Sequence, residues 1–460
     1  MNKLLISLLS FSLMIASCKS QDNSSKNSNN EKIELSNYKY PERTEKSNIY
    51  EVNIRQYTPE GTFKAFETHI PRLKKMGVDI LWLMPVFPIS EKNRKGSMGS
   101  YYAVANYKKV NHEFGTEEDL RSIIKTAHEN NMLVILDWVA NHTGWDNPWI
   151  FEHPDWYTQD SLGDIVCTVG TDWTDVADLN YDNPNMRKAM IEALSYWVIN
   201  YDIDGYRCDV AGMVPVDFWN TARETLDKIK PMFMLAEAEQ IDLHEKAFDM
   251  GYAWHLHHLM NEVSKGNKTA KDIRAYFEKA KEEYPQEIYR MTFTSNHDEN
   301  SWNGTEYERM PDSYKTWAVF TFVVPGMPLI YSGQEAGLSK RLKFFEKDTI
   351  EWKENEMNEL YTKLISLKND NKALWNGEAG SDVYFINTSD NKNILAFKRI
   401  KDDNKVLVIM NLSKNDVKVR FMEKDFERRY TDYFTGEDII VNPLKYIILK
   451  PWDYKVLFEK

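Results

Sequence analysis

The stretch DGYRCDVAG at positions 204–212 places Asp204, Arg207 and Asp209 in an otherwise strand-like run. Charged groups are seldom buried unless they are paired. Arg207 and Asp209 are two residues apart, so on a strand they point to the same side. Further along, MFMLAE ends in Glu237 and FTSNHD ends in His297 and Asp298. Upstream, ILDWVANH supplies Asp137, Asn141 and His142 just past an apolar run. Four carboxyls, two histidines and an arginine at strand ends suit acid–base and nucleophilic chemistry, in which one carboxyl must stay protonated and another ionised. Taken singly, each would be read as a structural ion pair. Their common placement at strand ends argues against seven separate ones.

Strands must hold these residues. IYEVNIRQY (49–57) reads as the first strand, and TFKAFETHIPRLKKMG (62–77) as a helix stopped by Gly77. VDILWLMP (78–85) follows as a buried strand. TEEDLRSIIKTAHENN (116–131) is a helix with Thr116 and Asp119 as its capping box. MLVILDW (132–138), a helix over 185–201, IDGYRCDVA (203–211) and a helix near 215–229 come next. MFMLAE (232–237), FDMGYA (248–253), YRMTFTSN (289–296) and MPLIYSG (327–333) complete eight strand candidates, mostly with helices between them. This alternation predicts an α/β fold, a closed (β/α)8 TIM barrel over 49–374, whose chemistry sits at the C-terminal ends of its strands. A doubly wound sheet would need a glycine-rich phosphate loop after strand one, and RQYTPEG is not one.

Residues 143–182 break the rhythm with many Asp, Trp and Gly and no clear period, as functional loops do. From about 375 to 460 the pattern turns to short alternating runs (DVYFINTS, NILAFKRI, KVLVIMNLS, VKVRFME, YIILKP, YKVLFE), a small antiparallel β-sandwich. At the other end, the apolar run Leu4 to Ala16 is a secretory signal, too short to span a membrane as a mature helix. It ends in IASC, which resembles a bacterial lipobox. Residues 1–17 are then removed, Cys18 is lipidated, and the Ser/Asn-rich stretch after it belongs to a tether over 18–48. The expectation is an exported lipoprotein of the outer membrane, cell surface or periplasm. The remaining cysteines, Cys167 and Cys208, make no disulfide framework, and Cys208 reads as a small packing residue.

Acidic residues outnumber basic ones, 70 to 58, for a net charge of −12. That argues against nucleic acid as a partner. The 13% aromatic content suits either core or the C–H faces of sugar rings.

From about residue 49 onward the chain resembles the α-amylase superfamily, glycoside hydrolase family thirteen. DWVANH matches its Asp-x-x-x-Asn-His motif, GYRCD its Gly-x-Arg-x-Asp motif, FMLAE the third and FTSNHD the fourth. VADLN (176–180), GVDILWLMPVFP (77–88) and GMPLIYSGQE (326–335) match accessory motifs in the family's order, and 143–182 matches a short domain B after strand three. The resemblance implies a nucleophile at Asp209, a general acid/base at Glu237 and a transition-state stabiliser at Asp298. Arg207 would orient Asp209, while His142 and His297 would bind sugar hydroxyls. A stacking tyrosine falls on Tyr102, with Tyr101 as the alternative. Calcium is a candidate cofactor, with Asn141 and Asp178 at the family's ligand positions; Met213, standing where the family often has a histidine, argues against it.

Retaining hydrolysis needs two carboxyls roughly 5–5.5 Å apart, and adjacent strands lie about 4.8 Å apart, so Asp209 and Glu237 can meet that spacing. Arg207 should hold Asp209 ionised, and the apolar run before Glu237 should keep it protonated. The departures lie elsewhere: Ser100-Tyr101 replaces a common His-Gly pair, and Gly212-Met213 a Lys-His pair. The expected activity is retaining hydrolysis of α-glucosidic bonds in starch or maltooligosaccharides. The alternatives are cyclodextrin, pullulan or transfer to a sugar acceptor, and, from another class, a carbohydrate-binding lipoprotein without catalysis.

Overall fold

A computed structural model describes residues 42–423 and 428–459. The signal segment, Cys18 and the first part of the tether lie outside them.

Eight parallel strands close into a barrel: β1 (Ile49–Val52), β2 (Ile80–Leu83), β3 (Leu133–Trp138), β4 (Gly205–Cys208), β5 (Phe233–Ala236), β6 (Met250–Tyr252), β7 (Tyr289–Thr292) and β8 (Met327–Tyr331). Each pairs with its neighbours in sequence, and β8 closes on β1. The predicted (β/α)8 barrel is therefore the observed one. Alternate residues face inward. Ile49, Ile80, Trp82, Leu133, Ile135, Phe233, Leu235, Met327 and Leu329 fill the barrel, while Leu81, Leu83, Val134, Leu136, Tyr206 and Cys208 pack against the helices. Extending the inward parity upward gives Glu51, Asp137, Arg207, Asp209 and Glu237. The same parity places Gly205 inside β4, where a Cβ would stand 1.9 Å from the Phe233 carbonyl oxygen. Only glycine lets β4 and β5 approach there.

Two local readings are revised. The first strand ends at Val52, because the Asn53 side chain accepts the Gln56 N–H and starts a short helix, Ile54–Tyr57. The helix over 62–77 is two, Phe63–Glu67 and Ile70–Met76. Pro71 lacks an N–H, and its ring would meet the Glu67 carbonyl in one continuous helix. Between β5 and β6 there is only a 3-10 turn, Ile241–His244. Elsewhere the signals hold: Thr116 and Asp119 form the capping box, and Gly77 ends its helix in the left-handed conformation at φ 100°.

After β3 the chain forms a small antiparallel insert in which His142–Gly144 pairs with Val176–Asp178. The C-terminal part is a six-stranded antiparallel sheet with a two-stranded ribbon, Val417–Val419 with Ile447–Leu449. Ile394, Ala396, Leu407, Ile409, Val419 and Leu457 lie in its own apolar core. Two of its strands, Arg428–Asp432 and Asp438–Val441, escaped the sequence reading. Both carry exposed charges that mask the alternation. Among the described residues no helix is long and apolar enough to cross a membrane.

Candidate active site

Arg207 sits fully buried at the centre of the upper barrel layer. One terminal nitrogen, Nη1, donates to Asp137 Oδ1 at 2.8 Å and to Asp209 Oδ1 at 3.0 Å. The other, Nη2, lies 2.8 Å from Glu237 Oε2. Its Nε donates to the Tyr252 hydroxyl at 3.2 Å, and the guanidinium lies over the Trp82 ring. The arginine thus serves both Asp209 and Glu237, which revises the expectation that it would ionise Asp209 selectively. Asp137 belongs to the support: its other oxygen accepts from Trp82 Nε1 at 3.1 Å and the Tyr102 hydroxyl at 3.0 Å.

The ladder sets Asp209 and Glu237 at one height. Cys208 and Ala236 are register partners, and Asp209 and Glu237 each follow by one residue. Their N–H groups continue the pairing, to the Trp138 and Cys208 carbonyls. Next comes Val210 at φ 36° and ψ 45°. A β-branched residue in the left-handed region is strained, and such strain gathers at functional sites. Here the turn aims the Val210 N–H at Glu237 Oε2, 2.9 Å away.

Across the barrel mouth, His297 lies between acids. Its Nδ1 meets Glu51, its Nε2 lies 2.8 Å from the Tyr102 hydroxyl, and Asp298 Oδ2 is 3.3 Å away. The Tyr102 ring stacks on the imidazole, with centroids 5.5 Å apart and planes at 21°. Tyr101 is turned away beneath Arg55, so of the two tyrosines Tyr102 is the one at the centre. Asp298, with its side chain 34% exposed, is the most open of the three acids; Asp209 and Glu237 are 11% and 12% exposed.

Burial and the surrounding acids set the protonation states. Burial pushes Asp209 well above the usual carboxylate range, Glu237 adds to this, and Arg207 opposes it. Burial likewise raises Glu237, against the pull of Arg207. The two titrate as a pair. Burial disfavours charge on His297, but Asp298 and Glu51 outweigh it and hold its pKa up at about 9. His142, buried without such partners, is pushed down to about 4 and is neutral at pH 7.

His142, Asn141 and Asp178 form a second group at the root of the insert. His142 faces the Trp173 ring, and its Nδ1 meets the Asn141 amide at 3.2 Å. The Asn141 amide also donates to the Thr168 hydroxyl at 3.0 Å, which donates to Asp178 Oδ1 at 2.7 Å. Thr158 donates to the other oxygen, Oδ2, at 2.7 Å. Calcium wants six to eight oxygens, several of them charged. This group offers one carboxylate, with both oxygens already taken by hydroxyl protons. Among the described residues no cluster of three or more His, Cys, Asp or Glu is arranged to hold a metal. The donor set does not fit calcium.

Glu51, Trp82 and Tyr252 were missed in the sequence. The signal for Glu51 was a lone acid at inward parity in the apolar run IYEV. Tyr252 and Trp82 look like ordinary core until the barrel closes.

The chain is similar to known proteins in both sequence and fold. The family model described as the alpha amylase catalytic domain matches residues 23–423. Alpha-amylase MalA of Haloarcula japonica is 26% identical over 403 residues, covering 83% of this chain and 58% of its own length. The maltogenic alpha-amylase of Bacillus acidopullulyticus is 25% identical over 433 residues, covering 86% of this chain and 70% of its own. The chain therefore spans little more than half of the first relative. The crystal structure of a noncanonic maltogenic alpha-amylase from Thermotoga neapolitana superposes with a TM-score of 0.83 at 28% identity, covering 90% of this chain and 99% of that one. This chain belongs to the alpha-amylase family of glycoside hydrolases.

Proposed function

We propose that the protein hydrolyses α-glucosidic bonds of maltooligosaccharides or starch with retention, and that it does so as an exported lipoprotein anchored through Cys18. The observation that carries the activity is the pair Asp209 and Glu237, side by side on one guanidinium at the barrel mouth. In this reading Asp209 attacks the anomeric carbon. The bond from that carbon to the leaving oxygen breaks as Glu237 gives the oxygen its proton. Glu237 then takes a proton from water, which displaces Asp209 and restores both groups. Asp298 faces the positive charge that develops on the sugar. Tyr102, His142 and His297 hold the ring.

Two relatives carry maltogenic in their names, which supports short α-glucans as substrates. Lipidation rests on the IASC motif alone, which lies outside the described residues.

Product analysis on maltoheptaose, amylose, pullulan and cyclodextrin tests the activity. New reducing ends with the native chain, absent with Asp209→Asn, are expected. Sugar binding without cleavage would leave a non-catalytic binder instead. Fractionation tests the anchor: Cys18→Ser should move the protein from membrane to soluble fraction, and a native protein already soluble would end that part.

A further inference from the structure

We infer that the outer face of the C-terminal ribbon docks on an anionic lipid bilayer, laying the protein against the membrane that holds its anchor; this deepens the lipoprotein reading above and rests on it. The ribbon pairs Val417 with Leu449, Lys418 with Ile448 and Val419 with Ile447. Alternate residues of a strand point to opposite faces. Val417, Val419 and Leu449 turn inward and join the apolar core under the six-stranded sheet. The other face of that sheet supplies Leu395, Phe397, Val408 and Met410 to the core it shares with the barrel. The layers therefore run from barrel to sheet to ribbon, with the ribbon outermost.

Its outward face carries the even-numbered residues. Lys418 and Ile448 lie side by side. One step on, Arg420 and Tyr446 meet: the guanidinium lies 5.7 Å from the centre of the tyrosine ring, and the Lys418 ammonium 4.7 Å from it. Met422 and Leu444 follow at the same parity. They lie toward the turn at Asn442, whose side chain accepts the Leu444 N–H and whose carbonyl accepts the Lys445 N–H. Leu444 is 85% exposed and Ile448 62%, and Met422 and Tyr446 are about half exposed. Lys418, Arg420 and Lys445 are exposed as well, and none makes an ion pair among the described residues. At the opposite end of the ribbon, Lys450 is answered by Asp416 at 2.6 Å. Positive charge is thus left over only where the apolar side chains cluster.

This runs against the chain's net charge of −12. Apolar tips set between long cationic side chains match the boundary of a bilayer. Leucine, isoleucine and methionine enter the acyl edge, while lysine and arginine reach headgroup phosphate. A neutral glucan would offer the cations nothing. The anchor supplies the proximity. Cys18 stands 24 residues before Glu42, and a segment of that length reaches at most about 80 Å when fully extended. An anchored chain therefore meets lipid at high effective concentration, where a weak contact is populated.

Sedimentation with vesicles tests this, using the chain from residue 18 onward with Cys18→Ser, which carries no lipid of its own. Phosphatidylcholine vesicles with about a third phosphatidylglycerol should bind it, and pure phosphatidylcholine vesicles roughly tenfold less. Lys418→Glu with Arg420→Glu, and separately Leu444→Ser with Ile448→Ser, should each lower the partition coefficient roughly tenfold. Both variants should keep the native melting temperature, since all four side chains are exposed. Equal binding by the variants, or no binding by the chain with its native ribbon, would overturn the inference. So would a dimer in light scattering that the same substitutions dissolve, which would make the face a contact between copies. Fractionation of the full chain reads the lipid and vesicle binding reads the ribbon, so either can fail alone.

Discussion

Arg207 and Arg223 are both wholly buried in the barrel domain, and they differ in how many acids they hold and in what those acids face. Arg223, on the helix Val216–Asp227, reaches Asp227 at 2.6 Å and both oxygens of Asp249 at 3.0 Å. Those carboxylates also accept the Met232 and Met234 N–H groups. One cation faces two acids, and their remaining hydrogen bonds go to the backbone that leads into β5. Arg207 has three acids within 3.0 Å, and two of them open into the barrel mouth. The first arrangement ties a helix to the barrel. The second gathers three acids on one cation where two of them face the cleft; burial first and neighbouring acids second raise the pKa of the paired carboxyls, and the excess of acid suits a cationic transition state. A buried ion pair alone is weak evidence for function. An excess of acid over cation, facing a cleft, is much stronger evidence.

Removing a single charge from the crowded cluster should have the largest effect. Asp209→Asn should lower kcat by roughly 10⁴-fold or more, with a melting temperature no lower than that of the native chain, because it relieves repulsion. A variant that turns over normally, or one that fails to fold, would erase the distinction between the clusters.

The two arginines can be compared directly. Arg207→Met and Arg223→Met should each cost about 3–5 kcal/mol, because each strands buried carboxylates. Urea titration measures that loss. The clusters part in the activity of the folded fraction, which should vanish for Arg207→Met and keep its kcat for Arg223→Met.

A smaller effect separates the clusters by pH. His297 has its folded pKa raised to about 9, above its ordinary value of about 6.5. The stability it contributes is fully present below about pH 6.5 and is lost as pH rises through about 9. Urea titrations of native and His297→Gln chains should therefore differ at pH 6 and converge by pH 10. A constant gap would show that His297 acts by packing alone.

The smallest expected effect concerns the insert. Chelation should leave the melting temperature unchanged, since hydroxyls already satisfy Asp178. Thr168→Val should cost about 1 kcal/mol. A large shift on chelation would restore calcium to the Asn141–Asp178 site.

The difference between the clusters was only half legible in the sequence. Arg207 stood out because a strand-like run has no ordinary use for Arg and Asp at one parity, and strand-end motifs carry their spacing openly. Arg223 and Asp227 sit four apart on a helix, the spacing of a common surface pair, and nothing local says that Asp249 seals them in. Glu51 and Tyr252 are likewise single residues whose role arises when distant strands meet. The shared grip of Arg207 on Glu237 was invisible for another reason: parity gives direction, but reach across to the next strand depends on the closure of the barrel.

The central claim is that Asp209 is a nucleophile rather than one more buried acid. Proton NMR of a fresh maltoheptaose digest, recorded before mutarotation, tests it most directly. Two displacements at one carbon predict that the α-anomer appears first. A β-anomer appearing first would mean a single displacement by water, with no bond to Asp209, and would contradict the account.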